Sequence, residues 1–108
     1  MTDRYLSLEL SPLEFRILLG SVRVYAETAF PRGCVDCQLA AREALLQAAS
    51  DMEAAYQNDG QGRIRLNRRL RPLCRYAVEQ FPAEGLEERL ARASLLATLT
   101  LKRRRESA

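Results

Sequence analysis

Histidine and tryptophan are absent from the 108 residues, and cysteine occurs only three times. Without histidine, the commonest general base and the commonest metal ligand are both missing. No Ser/His/Asp set exists, and a zinc site would have to be built from cysteine and carboxylate alone. Three cysteines are an odd number and too few for a disulfide framework, which fits a reducing compartment. No apolar run approaches the ~20 residues that span a bilayer. The opening MTDRYLSLEL is broken by an acid and a serine where a secretory signal needs an unbroken apolar stretch. A cytoplasmic chain without membrane contact is expected. Glu87 and Glu88 are neighbours on a helix and point to different sides, and Gly60-x-Gly62 lacks the lysine and serine of a phosphate loop. Enzymatic activity has little to stand on, and neither cofactor nor metal is expected.

What the chain does have is apolar surface, and Ser11–Phe30, SPLEFRILLGSVRVYAETAF, has too much of it for its length. Ser11, Pro12 and Glu14 are a helix start: serine caps free amides, proline is tolerated in the first turn, and Glu14 reaches back in a capping box. At 100° per residue Phe15, Leu18, Leu19, Val22, Tyr25, Ala26, Ala29 and Phe30 share one arc, the expected core side. Leu13, Ile17 and Val24 fall nearly opposite. A surface helix needs one apolar stripe, and this one has two.

The remaining chain reads as a single helical domain, 1–108, with an extended arm over 1–10 and a basic tail over 102–108. Tyr5–Leu10 alternates, with Leu6, Leu8 and Leu10 on one side. It is a short strand or a non-sheet arm, and as a strand it needs a partner in this chain or in a second copy. A second helix is expected from about Val35 to Asn58, with a stripe of Ala41, Leu45, Ala48, Met52, Ala55 and Tyr56, and Asn58–Gly62 ends it. Over 63–81, Leu66, Leu70, Leu73, Ala77 and Phe81 keep one helical phase, which predicts a helix from about Leu66 kinked at Pro72. The alternative is a strand over Arg63–Leu66 with the helix starting at Pro72. The last helix is expected from Pro82 to about Lys102, with Leu86, Leu90, Ala93, Ala97 and Leu101 as its core stripe and Leu95 and Leu99 on the far side. Its ATLTL could instead be a strand pairing with the N-terminal one. The fold class is therefore all-α, a compact bundle of about four helices.

Charge is uneven. Residues 1–62 carry five basic and nine acidic side chains, residues 63–108 twelve and five, so the halves stand near −4 and +7. Two solvated faces that attract each other explain this, as does a basic half that meets an acidic partner. Arg63, Arg65, Arg68, Arg69, Arg71 and Arg75 have no acid among them. They rim a protein interface, pair with the acidic half, or bind nucleic acid with strong salt dependence. For single-strand binding the interleaved aromatics are missing, with only Tyr76 near.

Cys34-Val35-Asp36-Cys37 is the one motif-like string. At a helix start, beside Arg32, a thiolate is favoured. The spacing resembles that of the all-helical peroxidase-type family related to carboxymuconolactone decarboxylases, which implies thiol-redox chemistry. That family has a histidine a few residues after the second cysteine, where Gln38-Leu39-Ala40-Ala41 stands here. The plainer reading makes Cys37 a small core residue and Cys34 a loop residue.

Leu13, Ile17 and Val24, with Leu95, Leu99 and the Leu6/Leu8/Leu10 arm, lie outside the simplest four-helix core. Each large aliphatic residue left in water forgoes roughly 1.5–3 kcal/mol. Either the arm covers them within the chain or a second chain does. The all-helical layout, the two-sided SPLEFRILLGSVRVYAE helix, the missing catalytic groups and the arginine- and alanine-rich composition resemble the small bacterial antiactivators that bind LuxR-type quorum-sensing regulators and block their dimerisation. The resemblance implies a dimeric helical protein with one apolar surface between copies and another over the regulator. The expected function is a regulatory protein that sterically blocks a protein partner, such as a transcription regulator. Its anchors would be Leu13, Ile17, Val24, Leu95 and Leu99, rimmed by Arg63, Arg65, Arg68 and Arg69. A nucleic-acid-binding regulator using Arg63–Arg75 and a Cys34/Cys37 thiol enzyme are the alternatives.

Overall fold

The computed structural model describes residues 5–29, 36–60 and 62–100. Its elements in chain order are strand β1 (Tyr5–Glu9), helix α1 (Pro12–Ala29), helix α2 (Asp36–Asp59) and strand β2 (Arg63–Asn67). A single 3-10 turn (Arg68–Leu70), helix α3 (Arg71–Glu79) and helix α4 (Leu86–Thr100) follow. The architecture is largely helical, with a two-stranded sheet added at one end. Among the described residues no helix is long and apolar enough to cross a membrane.

Helix α1 starts as its sequence requires. The Ser11 N–H donates to Glu14 Oε1 at 2.9 Å and the Glu14 N–H donates to Ser11 Oγ at 3.2 Å, a reciprocal capping box. The helix then runs through the middle of the molecule and packs against α2, α3 and α4. A helix enclosed on several sides needs apolar residues around most of its girth. This accounts for both stripes: Phe15, Leu18, Val22 and Ala26 are buried, and so is Ile17 from the opposite side, at 1% exposure.

The N-terminal arm is a strand, and its partner lies within the chain. β1 pairs antiparallel with β2, Leu6 opposite Leu66 and Leu8 opposite Ile64. Both strands alternate in the same register, so these four residues face the core while Ser7, Arg63 and Arg65 face solvent. The kinked helix expected from Leu66 is therefore corrected: the period of two in Arg63–Asn67 prevails over the helical phase of its leucines. Pairing gives β1 the partner it requires, and Pro72 sits in the first turn of α3, where its missing N–H costs nothing. Ala97–Thr100 of ATLTL is helical, and Leu101 lies outside the described residues.

The turn from α2 into β2 is held from three directions. The Leu10 N–H donates to the Gly62 carbonyl at 2.7 Å, the Tyr56 hydroxyl donates to the Leu10 carbonyl at 3.2 Å, and Tyr56 stacks on Phe15 with centroids 4.0 Å apart. Gly62 has φ +78°, and a Cβ there would stand 2.7 Å from the Leu10 carbonyl oxygen. Only glycine fits both constraints.

Helix α4 inverts the expectation. Leu95 and Leu99 are fully buried, while Leu86 and Leu90 are 71% and 61% exposed and Ala93 and Ala97 are also exposed. Both faces of this helix are apolar, so periodicity could not choose between them. The face carrying Leu95, Leu99 and the half-buried Leu96 offers three leucines to the core, against two leucines and two alanines on the other. It therefore removes more apolar area from water when it turns inward.

Candidate functional site: an apolar groove between α1 and α3

Helices α1 and α3 pack against each other, and an open groove of about 530 Å³ lies beside their contact. Gly20, Ser21, Val24 and Thr28 from α1 form one wall. Tyr76 and Ala77 from α3, followed by Gln80, Phe81 and Pro82, form the other. Tyr25 meets Tyr76 edge to face at 5.6 Å across it. The local sequence explains the opening. Gly20 has no side chain to fill the gap, with nothing within 4 Å of where a Cβ would lie, and α3 stops at Glu79, before Pro82. Val24 and Tyr76 remain 63% and 50% exposed at its mouth. One polar atom is out of place: Ser21 is 5% exposed, and its Oγ is buried without a hydrogen-bond partner. An orphaned buried hydroxyl costs the chain about 1–3 kcal/mol.

The residues expected from sequence to bind a partner separate here. Val24 lies on the groove. Leu13 is half-buried against the core, and Ile17, Leu95 and Leu99 are core residues at 1%, 0% and 0% exposure. These three are already covered within the chain, Ile17 beneath the helices around α1 and Leu95 and Leu99 on the core face of α4, so they present no surface to a partner; Leu6, Leu8 and Leu10 are buried too. Tyr76, Phe81 and Pro82 were missed. Their only signal was an aromatic-proline cluster at the end of a short helix.

The arginines do not form one surface. Arg63 and Arg65 stand on the outer face of the sheet, with the Arg65 guanidinium 4.6 Å over the Tyr5 ring. Beside them lies a more polar hollow of about 400 Å³ bounded by Ser7, Ala55 and Asn58. Arg68 is half-buried and Arg69 exposed in the 3-10 turn. Arg71 and Arg75 turn to the end of α4, Arg71 donating to the Leu99 carbonyl at 2.8 Å and Arg75 to Thr100 Oγ1 at 3.0 Å. Cations complement a helix C-terminus, so these two have a structural task.

Cys34 and the side chain of Cys37 lie outside the described residues, as does the basic tail. Cys74 is buried, and loss of water around it pushes its thiol up to about 12, which leaves it unreactive. Among the described residues no three His, Cys, Asp or Glu side chains gather as metal ligands would.

Comparison with known proteins adds no relative: no protein-family model, no curated protein and no solved structure matches the chain.

Proposed function

We propose that this chain is a regulatory binding protein that takes an apolar segment of a protein partner into the α1/α3 groove and blocks the surface from which that segment comes. The observation that carries the reading is the groove itself, apolar along both walls and large enough for several side chains, with exposed Val24 and Tyr76 at its mouth. Inserted apolar side chains would replace water there, and most of the binding energy is expected from a few anchors seated near its centre. Among the classes of partner the sequence suggested, a LuxR-type transcription regulator whose dimer interface is apolar fits this chemistry, with antiactivation by steric blockade as the mechanism. Division of the arginines between the sheet face and the end of α4 argues against a continuous nucleic-acid track.

The test uses light scattering. A purified LuxR-type regulator from the cell that makes this chain is mixed with it, and the regulator dimer is expected to give way to a mixed complex. Wild-type chain should do this and Val24→Glu should not. An unchanged regulator dimer would refute the antiactivator reading.

A further inference from the structure

The polar hollow of about 400 Å³ beside the sheet shares no lining residue with the α1/α3 groove. Both charged residues that line it are arginines, Arg63 and Arg65, and Ser7 and Asn58 add a hydroxyl and an amide. The strand pattern explains why they gather. Positions two apart on a strand share a face, so Arg63 and Arg65 point the same way, and Ser7 stands opposite Arg65 in the ladder. The bond from the Leu10 N–H to the Gly62 carbonyl fixes the alternation of that ladder. It makes Ser7 and Arg65 a pair of the closer, non-hydrogen-bonded kind. Asn58 reaches the same place from the last turn of α2. We infer that this hollow binds the phosphate group of a small phosphorylated metabolite.

Arg65 is held from one side. Its guanidinium lies 4.6 Å over the Tyr5 ring, a contact that steadies the group and uses none of its N–H donors. Two guanidinium groups with a hydroxyl and an amide suit the three terminal oxygens and nearly double charge of a phosphate monoester. A carboxylate, with two oxygens and one charge, would leave part of that set unused. One acid shares the outer face of the sheet: Glu9 stands opposite Arg63 and competes with a ligand for that guanidinium, although it lies outside the lining. Size and surroundings select a small molecule over a polyanion. The hollow has the volume of a small-ligand site. Arg71 and Arg75, which would have to continue the contact along a nucleic acid, are bonded to the end of α4.

Amide chemical-shift titration of the full nitrogen-15-labelled chain tests this with no groove partner present. Glycerol phosphate is the probe, and sodium chloride holds the ionic strength constant. Saturable shifts are expected at Ser7, Asn58, Arg63 and Arg65, with a dissociation constant of about 1–10 mM because the arginines are solvent-exposed. Acetate should bind at least about tenfold more weakly. Arg65→Gln should weaken glycerol phosphate at least about tenfold with the helical circular dichroism unchanged. Should that variant lose its helical signal, Arg65→Lys, which keeps the charge and loses the planar fork, should weaken it about threefold to fivefold. Glu9→Gln removes the competing carboxylate and should tighten binding about twofold to fivefold. Shifts that stay linear to about 50 mM, acetate as effective as glycerol phosphate, an Arg65 variant that binds like wild type, or a Glu9→Gln variant that binds no better would each overturn the inference.

Discussion

The rings of Tyr25 and Tyr76 meet at 67°, tying α1 to α3 at the groove. Above that contact lies Val24, well exposed on the groove wall. Val24→Glu places a charge where an apolar partner would sit and removes little packing from the free chain. Partner capture should fall at least a hundredfold, while stability stays within about 0.5 kcal/mol of wild type. Titration calorimetry and thermal melts of the same preparations check the two halves of this expectation.

Ser21 separates folding from binding in the opposite way. Its buried hydroxyl has no partner in the free chain, so Ser21→Ala should raise stability by about 1 kcal/mol. That oxygen is shielded from the groove, so the same change should leave partner capture within about twofold of wild type. Urea denaturation read beside calorimetry shows whether the two quantities move apart.

Ile17 and Leu95 behave as core. Leu95→Ala should cost roughly 2–5 kcal/mol, and Ile17→Glu, which buries a charge beneath the helices around α1, should abolish folding. Circular dichroism and denaturant midpoints check both. A folded Ile17→Glu variant that had lost only its partner would restore this residue to the binding surface.

Two glycines should respond with opposite signs. Gly62→Ala combines a left-handed backbone with contact on the Leu10 carbonyl and should destabilise by roughly 2–4 kcal/mol. Gly20→Ala meets open space in mid-helix and should stabilise by about 0.5–1 kcal/mol. Equilibrium denaturation of the pair compares them directly.

Cys74 sets an alkaline limit. Burial lifts its thiol from 9.0 to about 12, so the folded chain holds this proton more tightly than the unfolded chain. The associated stability is complete below pH 9, declines as pH rises above it, and is lost by about pH 12. Cys74→Ala should flatten that decline relative to wild type in denaturant midpoints measured from pH 8 to 11. In the native chain at pH 8, a thiol reagent should leave Cys74 unmodified.

Much of the fold was legible where a local signal had a single meaning. Ser11 and Glu14 marked the start of α1, Asn58–Gly62 the end of α2, and the apolar stripe of α2 placed Leu45 and Met52 inside. Two ambiguities defeated the reading. Arg63–Asn67 satisfies both a two-residue and a helical period, and only the pairing with Tyr5–Glu9 decides between them. On α1 and α4 both faces are apolar, so which one is covered depends on neighbours that the sequence does not locate. Val24 was found because it stands on the second stripe of α1. Tyr76, Phe81 and Pro82 reach the groove only through the way α3 ends beside α1.

Amide chemical-shift mapping tests the groove most directly. The nitrogen-15-labelled chain is titrated with the unlabelled regulator, and the perturbed amides are expected to cluster at Gly20, Val24, Thr28, Tyr76 and Gln80. Perturbations gathered instead at Arg63, Arg65 and Arg69, with the groove amides unmoved, would contradict the account.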